Sequence, residues 1–379
     1  MIRLKNQEEL TFDDILLLPE KSKIPFENDY QLNTSALFTK NIHLKIPVVS
    51  APMATVTEWE MATLMAKMGG IGIIHPFMEK IDQCFQVNKV KQISKDLLVG
   101  VTIYDGWKDL HIHIKNLLKE GVDVFVLDTY HAFNIRTLKT IREIKKMFPK
   151  LELVVGNVVT KEAVEALCRA GADAIKVGIG PGSHCTTRLV TGYGRPQLSS
   201  IWQCAQIAKK FSVPIIADGG IRYSGDLVKA LAFEANTVMI GGLLAGCDQS
   251  PGKTVFNNGK MYKKSSGSCT KEVVFKKEKI INKDYVKKFK SLIRQIFVKK
   301  DVVINTEETN FFEEGVGGLV EYKGDAEKII TDLANGLKRG MWYGGANNIM
   351  ELQKNAKFVK ITSEGYNEAQ PRGIKKIID

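Results

Sequence analysis

No run in the 379-residue sequence is long and apolar enough to cross a bilayer, which takes about 20 consecutive apolar residues. The opening "MIRLKNQEELTFDDILLLPEK" lacks the apolar core and small-residue cleavage site of a secretory leader. Cysteine is sparse. The six stand at 84, 168, 185, 204, 247 and 269, and no two form a CxxC or another zinc spacing. These absences point to a cytoplasmic chain with no membrane partner, no disulfide framework and no zinc cluster. The formal charge of +12 is carried by dispersed lysines, with a local excess near 276–300 and no interleaved stacking aromatics. That is not a nucleic-acid footprint. It reads as a solvated surface that also attracts small anionic substrates.

What is present is a series of short apolar runs. They are "IPVVSAPM" (46–53), "GIGIIH" (70–75), "LLVGVTI" (97–103), "VDVFVLD" (122–128), "LELVVGN" (151–157), "ADAIKVG" (172–178), "VPIIADGG" (213–220) and "TVMIGG" (237–242). Their apolarity is continuous rather than alternating, as in parallel strands buried on both faces. Helix-like stretches separate them, among them "EWEMATLMAKMG", "TLKTIREIKKMF", "TKEAVEALCRAGA", "SSIWQCAQIAKKF" and "SGDLVKALAFEA", the last with Ser224 placed as an N-cap. Eight strands alternating with helices predict a (β/α)8 TIM barrel, a single α/β domain over 1–379. A doubly wound sheet is the competing fold, but no GxGxxG follows the first strand.

A barrel carries its chemistry on the loops after the strands. The loop after the sixth strand lies in "KVGIGPGSHCTTRLVTGYG" (176–194), which sets Cys185 among glycines and hydroxyls. A structural cysteine belongs in an apolar core, as Cys168 and Cys204 do on their helices. A cysteine on a polar, glycine-lined loop reads as a nucleophile, whose thiolate needs hydrogen-bonding surroundings. After strand seven come Asp218, Gly219 and Gly220, and after strand eight Gly241 and Gly242. Backbone N–H groups at such glycines approach phosphate oxygens without a Cβ in the way. The alternative is that these glycines only make tight turns.

Those residues resemble the IMP dehydrogenase/GMP reductase family, from "LTFDDILLLP" through "SAPMATVTE", "GNVVTKEA", "GPGSHCTTR", "IIADGGIRYSGD" and "VMIGGLLAG" to "EGVGGLVEYKGD". The resemblance covers nearly the whole chain outside about 273–312. It implies a (β/α)8 barrel, a purine 5′-monophosphate substrate (IMP, XMP or GMP), NAD or NADP, a homotetramer and a potassium site. It makes Cys185 the nucleophile that attacks purine C2, with Thr187 beside it. Ser183, Gly220, Gly241, Gly242 and Gly267 are implied around the nucleotide, with Asp218 on the ribose hydroxyls. Ser50 and Met53 are implied beside the substrate, and Glu314 at the base edge. Asp128, Asn157 and Gly178 are implied on the nicotinamide side. Backbone oxygens at Gly180, Gly182 and Cys185 are implied to hold potassium. His184 is read as a surface imidazole. His131 is left between the cofactor pocket and a structural role.

The pattern departs in places. "KIDQCFQVNKVKQISKDLLVG" joins strands two and three directly, leaving no room for a regulatory CBS pair. The flap insertion, about 265–315, has no Arg-Tyr pair. Its nearest candidate is Asp284-Tyr285, and Glu272 only approximates a reductase glutamate. "SSGSCT" (265–270) replaces "YRGMGS" and so loses a tyrosine, Ala54 replaces an acid and Pro76 a basic residue. Tyr285, Phe289, Leu292, Ile293 and Ile296 share one helical face. Three activities stay open: IMP oxidation to XMP, GMP reduction to IMP, and an altered paralogue that binds a purine nucleotide or acts on a modified purine.

Overall fold

The structure is a computed structural model and describes residues 8–25, 31–270, 273 and 313–371. The expectations placed on Glu272, Asp284-Tyr285 and the helical face 285–296 lie outside these residues.

Eight parallel strands close into a barrel in chain order: β1 (Val48–Ser50), β2 (Ile71–Ile74), β3 (Val99–Ile103), β4 (Val124–Asp128), β5 (Glu152–Val158), β6 (Ala174–Val177), β7 (Ile215–Asp218) and β8 (Thr237–Ile240), with β8 paired to β1. These are the eight runs read from the sequence. The continuous apolarity has a simple cause. Along β4, Val124 and Val126 enter the barrel interior, while Phe125 and Leu127 pack outward under the helices. Both faces are therefore dry, and each fully buried aliphatic side chain contributes roughly 1.5–3 kcal/mol.

The helices between strands are α1 (Trp59–Lys67), α2 (Lys80–Ile93), α3 (Leu110–Lys119), α4 (Ile135–Met147), α5 (Lys161–Ala170), α6 (Thr187–Thr191), α7 (Gln197–Ala208) and α8 (Ser224–Ala232). Their ends follow local chemistry. Thr160 accepts the Ala163 N–H at the start of α5, and Gly171 closes that helix with φ +111°. Ser224 is not an N-cap, as the sequence suggested. It is the first residue of α8, and the Asp226 carboxylate accepts the N–H groups of Arg222 and Tyr223 instead. One helix, α2, is the only element between β2 and β3.

The barrel is closed where the strands begin. A short hairpin (Ala36–Leu37 against His43–Leu44) sends Phe38 and Leu44 into the interior cluster. At the opposite rim a three-stranded sheet, β9 (Thr254–Asn257), β10 (Lys260–Ser266) and β11 (Gly317–Glu321), leans over the mouth. It brings Gly267 and Glu314 to the cavity there.

Candidate active site

The period of two along a strand decides which side chains reach the mouth. Above Val126 on β4 the next inward position is Asp128, above Ala174 on β6 it is Lys176, and above Ile216 on β7 it is Asp218. These three side chains meet. Lys176 Nζ lies 3.0 Å from Asp128 Oδ1 and 2.7 Å from Asp218 Oδ2, and Lys176 is 3% exposed. Burial works against its ammonium, but the two carboxylates outweigh that effect and raise its pKa. Asn157, at the end of β5, adds bonds from Nδ2 to Asp218 Oδ2 (2.9 Å) and to the Gly178 carbonyl (2.6 Å). Among the described residues, both side-chain bonds to the Asp218 carboxylate fall on Oδ2.

The backbone under this layer is tightly specified. Gly178 has φ +147°, and a Cβ there would stand 2.2 Å from the Asp218 carbonyl oxygen. Gln197 Nε2 donates to the carbonyls of Val177 and Asp218, tying β6 to β7.

A cavity of about 1300 Å³ occupies the mouth. Its wall includes Cys185 and both glycine pairs, the arrangement on which the sequence argument rested. Cys185 is half-buried. Its thiol donates to Thr187 Oγ1 at 3.1 Å, and Thr187 Oγ1 donates to Glu314 Oε2 at 2.9 Å. The Thr186 N–H donates to the Glu314 carbonyl, which fixes the carboxylate's own backbone against the cysteine loop. A thiol, a hydroxyl and a carboxylate thus stand in line, a geometry that can move a proton between the sulfur side and Glu314.

The glycine pairs lie across the loop from this line. A Cβ on Gly242 would meet Ser183 Oγ at 2.7 Å, so only glycine lets the hydroxyl sit on that backbone. With Gly220 and Gly241 on the same wall, the corner offers unobstructed backbone and a hydroxyl, a donor set suited to an anion.

The remaining sequence candidates divide. Met53, Gly180, Gly182 and Gly267 are on the cavity wall; Ser50 is not. Ser50 has no exposure, and its hydroxyl lies 2.9 Å from Thr57 Oγ1, whose own proton goes to the Ala51 carbonyl. His184 is no surface imidazole. It is half-buried, with Nδ1 3.1 Å from Ser183 Oγ and Nε2 2.8 Å from Ser265 Oγ, because β10 and the Glu314 segment cover its loop. Burial lowers its pKa. His131 is exposed on the cavity rim, edge-on to Phe133. Cys168 and Cys204 are core residues, and burial pushes their thiols up to about 11 and about 12.

Sequence reasoning gave Lys176 no role. The signal was there: a lysine inside "ADAIKVG", a run buried on both faces, has to be paired with acid.

Residues 9–372 match the sequence model of a family described as IMP dehydrogenase / GMP reductase domain. Among curated relatives, the inosine-5′-monophosphate dehydrogenase of Cryptosporidium parvum is 38% identical, aligned over 97% of this chain and 95% of its own. That of Borreliella burgdorferi is 35% identical over 98% of each chain. That of Aquifex aeolicus is 32% identical over 99% of this chain and 97% of its own. The Aquifex alignment runs to 499 positions, so that relative carries a stretch with no counterpart here.

Proposed function

Since the chain belongs to the IMP dehydrogenase/GMP reductase family, we propose that it oxidises IMP at C2 to XMP, using NAD and water. The observation that carries this reading is the Cys185–Thr187–Glu314 line beside the glycine corner. Single-ligand sites usually occupy ~300–1,000 Å³, and a cavity of about 1300 Å³ suits a reaction of two bound molecules.

The residues act as follows. The corner of Ser183, Gly220, Gly241 and Gly242 holds the 5′-phosphate, and Asp218 Oδ1 accepts from a ribose hydroxyl. Lys176 and Asn157 keep the Asp218 carboxylate in place. Gly267 and Met53 close around the nucleotide. The Cys185 proton leaves to solvent, and the sulfur bonds to C2, making a tetrahedral carbon. Asp128 and Tyr130, both on the cavity wall, would hold NAD, which would supply the acceptor for the hydride leaving C2. The product is then joined to Cys185 through sulfur. Water attacks the same carbon, the C–S bond breaks to regenerate the thiol, and XMP leaves. The proton taken from that water needs a base. Glu314, reaching through Thr187, takes that proton and returns it along the same line to the departing sulfur, so the chemistry does not require an Arg-Tyr pair on the flap.

The backbone carbonyls of Gly180, Gly182 and Cys185 are hard, neutral oxygen donors of one loop, a set that fits potassium. The Gly182 carbonyl keeps a lone pair after accepting the Cys185 N–H. Potassium there would brace the loop that carries the nucleophile. The single helix α2 between β2 and β3, and the extra length of the Aquifex relative, support a barrel with no CBS insert. A homotetramer belongs to the same reading and is testable by light scattering.

The experiment is spectrophotometric. With IMP and NAD, absorbance at the reduced-nicotinamide band rises. A fall with GMP and NADPH, and no rise in the first mixture, replaces the reading with the reductase. Silence in both, with nucleotide still raising Tm, replaces it with a nucleotide-binding paralogue.

A further inference from the structure

We propose that His184 is a positioning residue of the phosphate corner, setting the Ser183 hydroxyl as a donor toward the substrate's 5′-phosphate. The proposal rests on the functional reading above and adds a residue to it.

Ser265 sets the tautomer of His184. Its side chain is fully buried on β10, and its one side-chain hydrogen bond among the described residues is to His184 Nε2 at 2.8 Å. A buried hydroxyl with a single acceptor in reach donates to it, because an unmet O–H is costly. Nε2 is therefore the acceptor nitrogen of a neutral imidazole, and the ring proton sits on Nδ1. Nδ1 faces Ser183 Oγ at 3.1 Å and donates to it. With its oxygen accepting from the ring, the Ser183 hydroxyl directs its own proton elsewhere. The oxygen lies where a Gly242 Cβ would approach within 2.7 Å, in the glycine corner. The chain Ser265 to His184 to Ser183 thus polarises one hydroxyl as a donor at the place an anion is held.

The imidazole is well fixed for this role. The Val316 N–H donates to the His184 carbonyl at 2.9 Å, and a Cβ on Gly267 would stand 3.1 Å from His184 Cβ. The backbone and Cβ of His184 are held against the covering sheet and the ring is bonded at both nitrogens, so the hydroxyl is oriented before substrate arrives.

The test compares IMP with inosine, which lacks the phosphate. His184→Phe keeps the volume and removes both hydrogen bonds; His184→Gln keeps one donor and one acceptor. The expected result is a KM for IMP raised roughly 10-fold in His184→Phe, with kcat within about twofold. The inhibition constant of inosine is unchanged, and His184→Gln recovers most of the loss. Ser265→Ala shifts the KM for IMP in the same direction by a smaller factor, and its effect is not additive with His184→Phe. Tm of each apo variant reports folding, and Ser265→Ala carries the test if His184→Phe is not folded. Equal weakening of IMP and inosine, or an unchanged KM for IMP in folded His184→Phe and Ser265→Ala, overturns the proposal and leaves the functional reading intact. A wild type that fails to bind IMP overturns the functional reading instead.

Discussion

Thr187 Oγ1 donates to Glu314 Oε2 at 2.9 Å across 127 positions of sequence, and accepts the Cys185 thiol at 3.1 Å. A hydroxyl held between a nucleophile and a carboxylate matters most where a proton must leave the reacting centre. Glu314→Gln keeps the shape and removes the base. Hydrolysis of the sulfur-bound product should slow by about 100-fold, while the first turnover of NADH stays fast. Stopped-flow absorbance should then show a burst followed by a slow phase. Thr187→Val should behave alike, and the double variant no worse than either single one. Loss of the burst together with the steady rate would show that Glu314 acts before hydride transfer.

Cys185 is half-buried on the cavity wall, whereas Cys84, Cys168, Cys204 and Cys247 are buried. Burial also pushes the Cys247 thiol up to about 11, so at pH 8 the core thiols stay protonated and enclosed. Iodoacetamide should label Cys185 and the half-buried Cys269 first, and IMP should protect Cys185. Cys185→Ala should lower turnover by at least about 1,000-fold and leave IMP binding in place. Mass spectrometry of the quenched wild type should find an adduct on the Cys185 peptide.

Lys176 bridges Asp128 and Asp218 in the upper barrel layer, at 3.0 and 2.7 Å. Lys176→Met would remove the buried charge that bridges the two acids. A loss of about 3–5 kcal/mol in urea unfolding is expected, the range for breaking a buried pair from one side. Lys176→Arg should retain most of the stability. If Lys176→Met unfolds at the wild-type urea concentration, the ionic layer has no structural weight.

His113 gives a pH prediction with a definite sign. It is buried on α3, its Nε2 is 2.8 Å from Gln83 Oε1, and burial, aided by the charge of Lys80, lowers its pKa from 6.5 to about 4. Between those values the unfolded chain binds the proton and the folded chain does not, so stability falls as pH falls. The contribution is complete above pH 6.5 and lost by about pH 4, amounting to about 3 kcal/mol. Chemical denaturation at pH 7 and pH 4.5 should show a smaller drop for His113→Leu than for the wild type. Equal drops would mean that His113 titrates normally.

The eight strands were legible because a strand buried on both faces needs apolar residues at consecutive positions, a purely local demand that "VDVFVLD" and "TVMIGG" meet without reference to anything distant. The place of Cys185 at the barrel mouth was legible for a related reason, since its polar, glycine-rich neighbours lie beside it in the chain. Three features depended on closure of the barrel. Lys176 became an ion-pair centre only when β4 and β7 brought carboxylates to either side of it. Glu314 reached Thr187, rather than only a base edge, because the sheet folds back over the cysteine loop. His184 turned from an expected surface residue into a half-buried one when β10 set Ser265 against it. Periodicity and side-chain type decide which face of an element is dry. Which charge or hydroxyl meets which is decided by where strand ends and covering loops arrive in space, and residues 42, 81 or 127 positions apart carry no local trace of that meeting.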